Sequence, residues 1–126
     1  MTRILLVDDD GPFRQMMHEM LERAGHEVRD AANGKIAMDL DREQPGDLIL
    51  MDLVMPEKEG LETIGDLLRS RPEAKIIAMS GGNRVDCDVF LDVALRLGAK
   101  RALGKPFSRA ELLSAIDQVM AGSAGA

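Results

Sequence analysis

Four polar groups in the sequence each follow a short apolar run. The first run, residues 4–7, ends in three consecutive aspartates, Asp8 to Asp10, and later runs are followed by Asp52, Ser80 and Lys105. If the runs are parallel strands of one open sheet, these side chains lie at its carboxyl edge, where open α/β sheets bind ligands. Carboxylates, a hydroxyl and an ammonium group then become candidates for a single site.

Three of these carboxylates repel one another if the first and third strands are neighbours. Asp8, Asp9 and Asp52 then converge, and two unit charges about 4 Å apart repel by roughly 4 kcal/mol at an effective dielectric of about 20. A cation must offset that repulsion. Magnesium is commonly held by one or two carboxylates, a carbonyl and waters, with room for a phosphate oxygen. The sequence therefore predicts a Mg²⁺ cofactor, and Lys105 supplies a second positive charge.

Such a site has the parts needed for phosphoryl transfer. Asp52 is the candidate nucleophile that gains the phosphoryl group. Lys105 and the metal would neutralise the phosphoryl oxygens, and the Ser80 hydroxyl would hydrogen-bond one of them. Taken singly these residues have simpler explanations, because Asp9 or Asp10 could cap the next helix and Lys105 could be a solvated side chain beside a turn.

The apolar runs alternate with longer amphipathic segments, which is the pattern of repeated βα units around a parallel sheet. Five such units are predicted. Their strands are expected at Arg3 to Val7, Glu27 to Ala31, Asp47 to Met51, Lys75 to Met79 and Lys100 to Leu103.

Residues that typically begin and end helices separate these strands. Pro12 suits a first turn and Asn33 a cap, whereas Gly25 and Gly98 stand where left-handed ends are expected. A capping box, Ser108 to Glu111, precedes the fifth helix. The third and fourth helices are predicted at about Glu59 to Ser70 and Val85 to Leu97, and the first is expected to turn Met16, Met17 and Met20 towards the core.

Composition limits the function classes. The chain has 126 residues, enough for one domain, and its single cysteine, Cys87, can form no intramolecular disulfide. A net charge of −6 and only three aromatic residues argue against direct nucleic-acid binding. The first apolar run meets Asp8 after residue 7 and is too short for a signal peptide or a membrane span. We expect a soluble, cytoplasmic protein with neither nucleic acid nor membrane as a partner.

Four segments together resemble the signature segments of bacterial response-regulator receiver domains. They are Ile4 to Asp10 (ILLVDDD), Leu48 to Pro56 (LILMDLVMP), Ile76 to Gly81 (IIAMSG) and Gly104 to Phe107 (GKPF). The similarity extends over residues 3–120. It implies an α/β fold of the chemotaxis-regulator type, a doubly wound, flavodoxin-like (βα)5 domain with strand order 2-1-3-4-5. The receiver is expected at residues 1–121, with a flexible C-terminal tail at residues 122–126.

The resemblance also implies roles for individual residues. Asp52 would accept a phosphoryl group from a phosphohistidine on a sensor histidine kinase or a histidine phosphotransfer protein. Asp9, Asp52 and the carbonyl of Val54 would bind Mg²⁺ directly, and Asp8 would act through a bound water. Ser80 and Lys105 would contact the phosphoryl group and move the fourth and fifth units. Lys105-Pro106 would be a cis peptide, and the chain would catalyse only its own phosphorylation and dephosphorylation.

Several positions depart from the commonest family pattern. Ala102 stands where an aromatic residue often reports activation, Ser80 replaces the commoner threonine, and residues 81–88 indicate an extended loop. Val54 and Gly82 offer no group to orient an attacking water, so we expect slow loss of the phosphoryl group.

Output is expected through protein binding around the fourth and fifth units, at Leu95, Arg96, Lys100 and Arg101. One alternative is a receiver-like interaction module that needs no phosphorylation, for which Ala102 is the only indication. An aspartyl-phosphatase type of hydrolase would need a second acid where Val54 stands. A flavin-binding protein of this fold class would need stacking aromatics, and the chain has no Trp or Tyr.

Overall fold

The computed structural model describes residues 2–53, 60–81 and 86–122. These residues form five strands and five helices that alternate along the chain. The elements are β1 (Arg3–Val7), α1 (Gly11–Arg23), β2 (Glu27–Ala31), α2 (Gly34–Glu43), β3 (Leu48–Asp52), α3 (Gly60–Ser70), β4 (Ile76–Ser80), α4 (Asp86–Leu97), β5 (Arg101–Gly104) and α5 (Arg109–Gly122).

The strands form one parallel sheet of order β2-β1-β3-β4-β5. This confirms the predicted α/β fold class and strand order. β1 and β3 are neighbours, with Val7 opposite Met51, so the carboxyl ends of these two strands lie side by side. The strand order reverses here, because β2 lies on one side of β1 whereas β3, β4 and β5 follow on the other. Doubly wound folds bind their ligands at such a point.

Alternate residues of the strands pack into two cores, one on each face of the sheet. In β1, Leu5 and Val7 pack with residues of α2, α3 and α4, whereas Ile4 and Leu6 pack with residues of α1 and α5. β3 and β4 are buried along their whole length, as expected for strands covered by helices on both faces. The two helical layers therefore fix the positions of the central strand ends.

Three strands begin and end one residue later than predicted. β3, β4 and β5 end at Asp52, Ser80 and Gly104, because parallel pairing continues through these residues. Asp52 and Ser80 are consequently the last residues of their strands rather than the first residues after them, and backbone pairing restrains both.

Most predicted helix ends are confirmed. The Asn33 side chain caps α2 by accepting a hydrogen bond from the Ile36 N–H at 2.9 Å. Ser108 and Glu111 form the reciprocal capping box at α5, with distances of 3.0 and 2.9 Å. Gly25 and Gly98 have φ angles of 96° and 126°, in the region that glycine adopts without strain.

The three methionines of α1 that were expected in the core differ in burial. Met17 is fully buried and Met20 is partly buried, but the prediction for Met16 was wrong, since 55% of Met16 is exposed beside a groove between α1 and α5.

The division between domain and tail after residue 121 stays a prediction, because residues 123–126 lie outside the described part of the chain. Glu59 and Val85, the predicted starts of α3 and α4, also lie outside it.

Within the described ranges, no helix is both long and apolar enough to cross a membrane.

Candidate functional site

Three carboxylates meet where β1 and β3 end. One oxygen from each of Asp8, Asp9 and Asp52 lies within 4.8 Å of the others. Asp8 is fully buried and Asp52 is 4% exposed, whereas Asp9 is open to solvent. The cluster therefore has two buried carboxylates and one at its rim. This is the convergence predicted if the first and third strands are neighbours, as they are.

Asp8 is held on several sides. Its Oδ1 accepts a hydrogen bond from the Asp10 N–H at 2.9 Å, and its Oδ2 accepts one from Lys105 Nζ at 2.8 Å. Its carbonyl oxygen accepts a hydrogen bond from Arg14 at 2.6 Å. A buried carboxylate needs such donors, since leaving a buried charge without partners is strongly unfavourable.

Asp10 performs the structural role that the sequence left open between Asp9 and Asp10. Its side chain caps α1 by accepting a hydrogen bond from the Phe13 N–H at 3.1 Å. Asp9 remains in the carboxylate cluster with Asp8 and Asp52. The run of three aspartates thus divides into one helix cap and two members of the site.

Lys105 places its ammonium group among these carboxylates. Nζ lies 2.8 Å from Asp8 Oδ2, 3.9 Å from Asp52 Oδ1 and 4.1 Å from the centroid of the Phe13 ring. The Lys105-Pro106 peptide bond is cis, as expected. The prediction that Lys105 supplies positive charge to the cluster is supported by these distances.

Ser80 ends the strand next to β3 and is 1% exposed. Its carbonyl oxygen accepts a hydrogen bond from the Lys105 N–H at 2.8 Å, which ties the end of β4 to the start of the Lys105 segment. Gly81 follows, and a Cβ at that position would lie 3.1 Å from Lys105 Cδ. The small residue thus leaves room for the lysine stem as it runs to the carboxylates.

The charges around the cluster favour a bound cation. Among the described residues, three carboxylates face one ammonium group. The ligand atoms that these carboxylates provide are all hard oxygen donors. That donor set suits Mg²⁺, which commonly takes one or two carboxylates and completes its shell with water and phosphate oxygens. Val54, whose carbonyl was predicted as a ligand, lies outside the described residues.

The sequence of this chain matches the family model of the response regulator receiver domain over residues 4–117. The chain belongs to the response regulator receiver domain family. Such receiver domains are components of two-component signal transduction systems. The match covers the described residues of the candidate site and all five strands except the first residue of β1.

Relatives of similar length support the assignment. This receiver domain is 36% identical to protein CcdB of Bacillus subtilis over 121 residues, covering 95% of this chain and 98% of CcdB. It is 33% identical to chemotaxis protein CheY of Thermotoga maritima, covering 93% and 96% of the two chains. A solved CheY-like receiver domain from Methanospirillum hungatei superposes with a TM-score of 0.85 at 30% identity, covering 95% and 94%.

The receiver site also contains residues that sequence reasoning missed. Phe13 lies against Lys105, and Arg14 holds the Asp8 carbonyl while lying 3.7 Å from Asp30. Gly60, the first residue of α3, packs so closely on β3 that a Cβ there would lie 2.2 Å from the Asp52 carbonyl oxygen. The apolar type of Phe13 and the absence of a side chain at Gly60 gave no chemical signal.

Two of the four residues expected to bind an output partner interact with other side chains of the chain. Leu95 is 44% exposed and Lys100 is exposed, but Arg96 pairs with Asp92 at 3.1 Å and Arg101 hydrogen-bonds Gln118. Ala102 is half-buried in β5, opposite Ala78 of β4. Residue 102 therefore brings no aromatic side chain to this part of β5.

Proposed function

We propose that this receiver accepts a phosphoryl group on Asp52 and passes the signal on by phosphorylation-dependent protein binding. The observation that carries the proposal is the position of Asp52, whose carboxylate is clustered with those of Asp8 and Asp9 and lies 3.9 Å from Lys105 Nζ. A carboxylate beside both a cation site and an ammonium group is suited to attack phosphorus, because the positive charges draw the anionic donor to it.

The donor proposed is a phosphohistidine on a sensor histidine kinase or a histidine phosphotransfer protein. A carboxylate oxygen of Asp52 forms the new bond to phosphorus as the bond from phosphorus to the donor imidazole breaks. The electron pair of the broken bond stays on the imidazole nitrogen, which takes up a proton. Lys105 binds one oxygen of the transferred group, and the Ser80 hydroxyl hydrogen-bonds another.

Asp9, Asp52 and the carbonyl of Val54 are the proposed direct Mg²⁺ ligands, and Asp8 is proposed to act through a bound water. Bound there, Mg²⁺ supplies electrostatic neutralisation of the phosphoryl oxygens. Asp8 has a further role, since its carboxylate holds the Lys105 ammonium at 2.8 Å. Full burial of Asp8 keeps its carboxylate out of water, which strengthens its attraction to the ammonium group.

In this account the receiver is no enzyme acting on other molecules, since it catalyses only its own phosphorylation and dephosphorylation. A phosphohistidine donor implies a cytoplasmic location.

The output partner is proposed to be a protein, because α4 presents exposed apolar residues beside charged ones. Val89, Leu95 and Leu97 of α4 are 57%, 44% and 44% exposed.

The second candidate is a receiver-like interaction module that works without phosphorylation. Ala102 favours it, because a half-buried alanine cannot swing inward to report a change at Lys105. The two candidates share the fold and differ in whether Asp52 is modified.

Intact mass spectrometry after incubation with acetyl phosphate and Mg²⁺ separates the two candidates. The proposal expects one added phosphoryl group that requires Mg²⁺ and is absent from Asp52→Asn. Asp39→Asn is a matched control, because Asp39 is an exposed residue of α2 and should leave phosphorylation unchanged. The absence of an adduct in wild type, repeated with several histidine kinases as donors, would favour the phosphorylation-independent module.

A further inference from the structure

Phe13 forms a contact with Lys105 that the phosphoryl-transfer scheme does not use. The ammonium nitrogen lies 4.1 Å from the ring centroid, within the range of a cation–π interaction. Phe13 is in the first turn of α1, whereas Lys105 follows β5. The ring is thus brought to the lysine by the fold rather than by sequence proximity.

A closed set of contacts links this ring to the carboxylate cluster. Asp8 accepts a hydrogen bond from the Asp10 N–H, and the Asp10 side chain accepts one from the Phe13 N–H. The Phe13 ring then contacts Lys105, whose ammonium group returns to the second oxygen of Asp8. Each member is fixed by the next, so the position of the Phe13 ring and that of the Lys105 ammonium are coupled.

A second aromatic ring, that of Phe107, lies beside the Phe13 ring. The rings of Phe13 and Phe107 are 6.2 Å apart and inclined by 77°, an edge-to-face arrangement. Both side chains are partly buried against the core formed with α1 and α5. The Lys105 side chain is 18% exposed, so the ring limits the volume that the lysine can sample.

We infer that Phe13 is a positioning residue that, together with Asp8, holds the Lys105 ammonium beside Asp52 and thereby sets the rate of phosphoryl acceptance. A lysine stem has many rotamers, so the carboxylates of Asp8 and Asp52, 2.8 and 3.9 Å from Nζ, still leave the ammonium freedom to pivot. The aromatic face supplies a further contact. Because the ring has no net charge, it fixes the cation without adding a carboxylate that would repel a phosphoryl group. This inference rests on the proposed function of Asp52.

The test compares phosphorylation rates by acetyl phosphate at saturating Mg²⁺ in wild type and three variants. Phe13→Leu keeps an apolar side chain but removes the ring, and it is expected to slow phosphorylation about three- to tenfold. Phe13→Tyr keeps the aromatic face and should restore the wild-type rate. Phe107→Leu is the matched control, because it makes the same change in the neighbouring ring that does not contact the ammonium.

A spectroscopic measurement separates positioning from general stability. The ε-methylene protons of Lys105 should show an upfield ring-current shift in wild type, Phe13→Tyr and Phe107→Leu, and lose it in Phe13→Leu. Urea unfolding establishes that each variant is folded, and Phe13→Met replaces Phe13→Leu if the latter is not.

Three results would overturn the inference: an unchanged rate in Phe13→Leu, equal slowing in Phe107→Leu, or no ring-current shift in wild type. Failure of the wild type to accept a phosphoryl group would instead overturn the proposed function. The ring-current shift still tests the placement of Lys105 in that case, so the two failures are distinguishable.

Discussion

Lys105 places its ammonium group 2.8 Å from the carboxylate of Asp8, a residue 97 positions away in the chain. Asp8 follows β1 and is fully buried, whereas Lys105 follows β5, so the pair links the carboxyl ends of two strands that are not neighbours. Asp52 and Asp9 lie beside it, so one ammonium group faces three carboxylates. The excess of negative charge is what makes the site suited to a divalent cation, and it gives the first prediction.

Asp52→Asn is expected to raise the free energy of unfolding in the absence of Mg²⁺ by roughly 1 to 3 kcal/mol, because it removes one of three mutually repelling charges. Urea unfolding with and without Mg²⁺ measures the effect. Added Mg²⁺ should stabilise the wild type much more than the variant.

Asp39→Asn serves as the control for this change, since the exposed Asp39–Arg42 pair should contribute little. A lower free energy of unfolding for Asp52→Asn without Mg²⁺ would contradict the account of repulsion in the cluster.

Gly60→Ala is expected to destabilise the protein by about 2 to 4 kcal/mol, because the added Cβ would lie 2.2 Å from the Asp52 carbonyl oxygen and 2.5 Å from Leu53 Cα. Both contacts are with backbone, which cannot rotate away. The backbone movement that relieves these contacts should also slow phosphorylation, because it displaces Asp52.

Gly65→Ala in the same helix provides the matched control for Gly60→Ala. The nearest atom to its added Cβ is the end of the Arg69 side chain at 3.8 Å, so the substitution should stabilise α3 by about 0.5 to 1 kcal/mol. Equal effects of the two substitutions, measured by urea unfolding, would show that close packing at Gly60 does not matter.

The contrast between these glycines shows what the sequence can predict. The predicted strands agree with the observed strands to within one residue, because continuous apolar runs and helix caps are local signals. The aspartates and Lys105 were predicted because charged residues at strand ends are chemically conspicuous. Phe13 and Gly60 were missed, since their roles depend on contacts made across the fold. Met16 was placed in the core on helical spacing alone. That spacing does not reveal how far α5 covers α1, and Met16 lies beside the groove between the two helices.

His18 is expected to make stability depend on pH. Its Nδ1 lies 2.6 Å from Asp30 and its Nε2 lies 3.1 Å from Glu22. The hydrogen bond to Asp30 raises the pKa of His18 above its ordinary value of 6.5, against an opposing effect of burial. A raised pKa means that folding favours the protonated imidazole. The stabilisation is therefore complete below pH 6.5 and is lost as the pH rises through the higher folded value.

His18→Gln should accordingly lower the free energy of unfolding by up to about 1 kcal/mol at about pH 5.5 and have much less effect at about pH 8.5. Denaturant unfolding at the two pH values measures the difference. A larger loss at the higher pH would reverse the sign and contradict the assignment.

The phosphorylated protein is expected to lose its phosphoryl group slowly, with a half-life well beyond seconds in Mg²⁺. The reason lies in the sequence, because Val54 and Gly82 carry no group that orients an attacking water. Val54→Asn should speed the loss about tenfold or more by supplying one, whereas Val54→Ala should not. Following the intact mass over time after removal of the donor gives each half-life. Loss within seconds in the wild type would contradict the prediction.

The most direct measurement is the position of the phosphoryl group in the chain. After treatment with acetyl phosphate and Mg²⁺, reduction of the acyl phosphate with borohydride leaves a stable mark that peptide mass spectrometry can locate. If Asp52 is the phosphoryl acceptor, a single mark appears at Asp52, with Asp8 and Asp9 unmodified. A mark at Asp8 or Asp9, or none after treatment with acetyl phosphate and with phosphorylated histidine kinases, would contradict it.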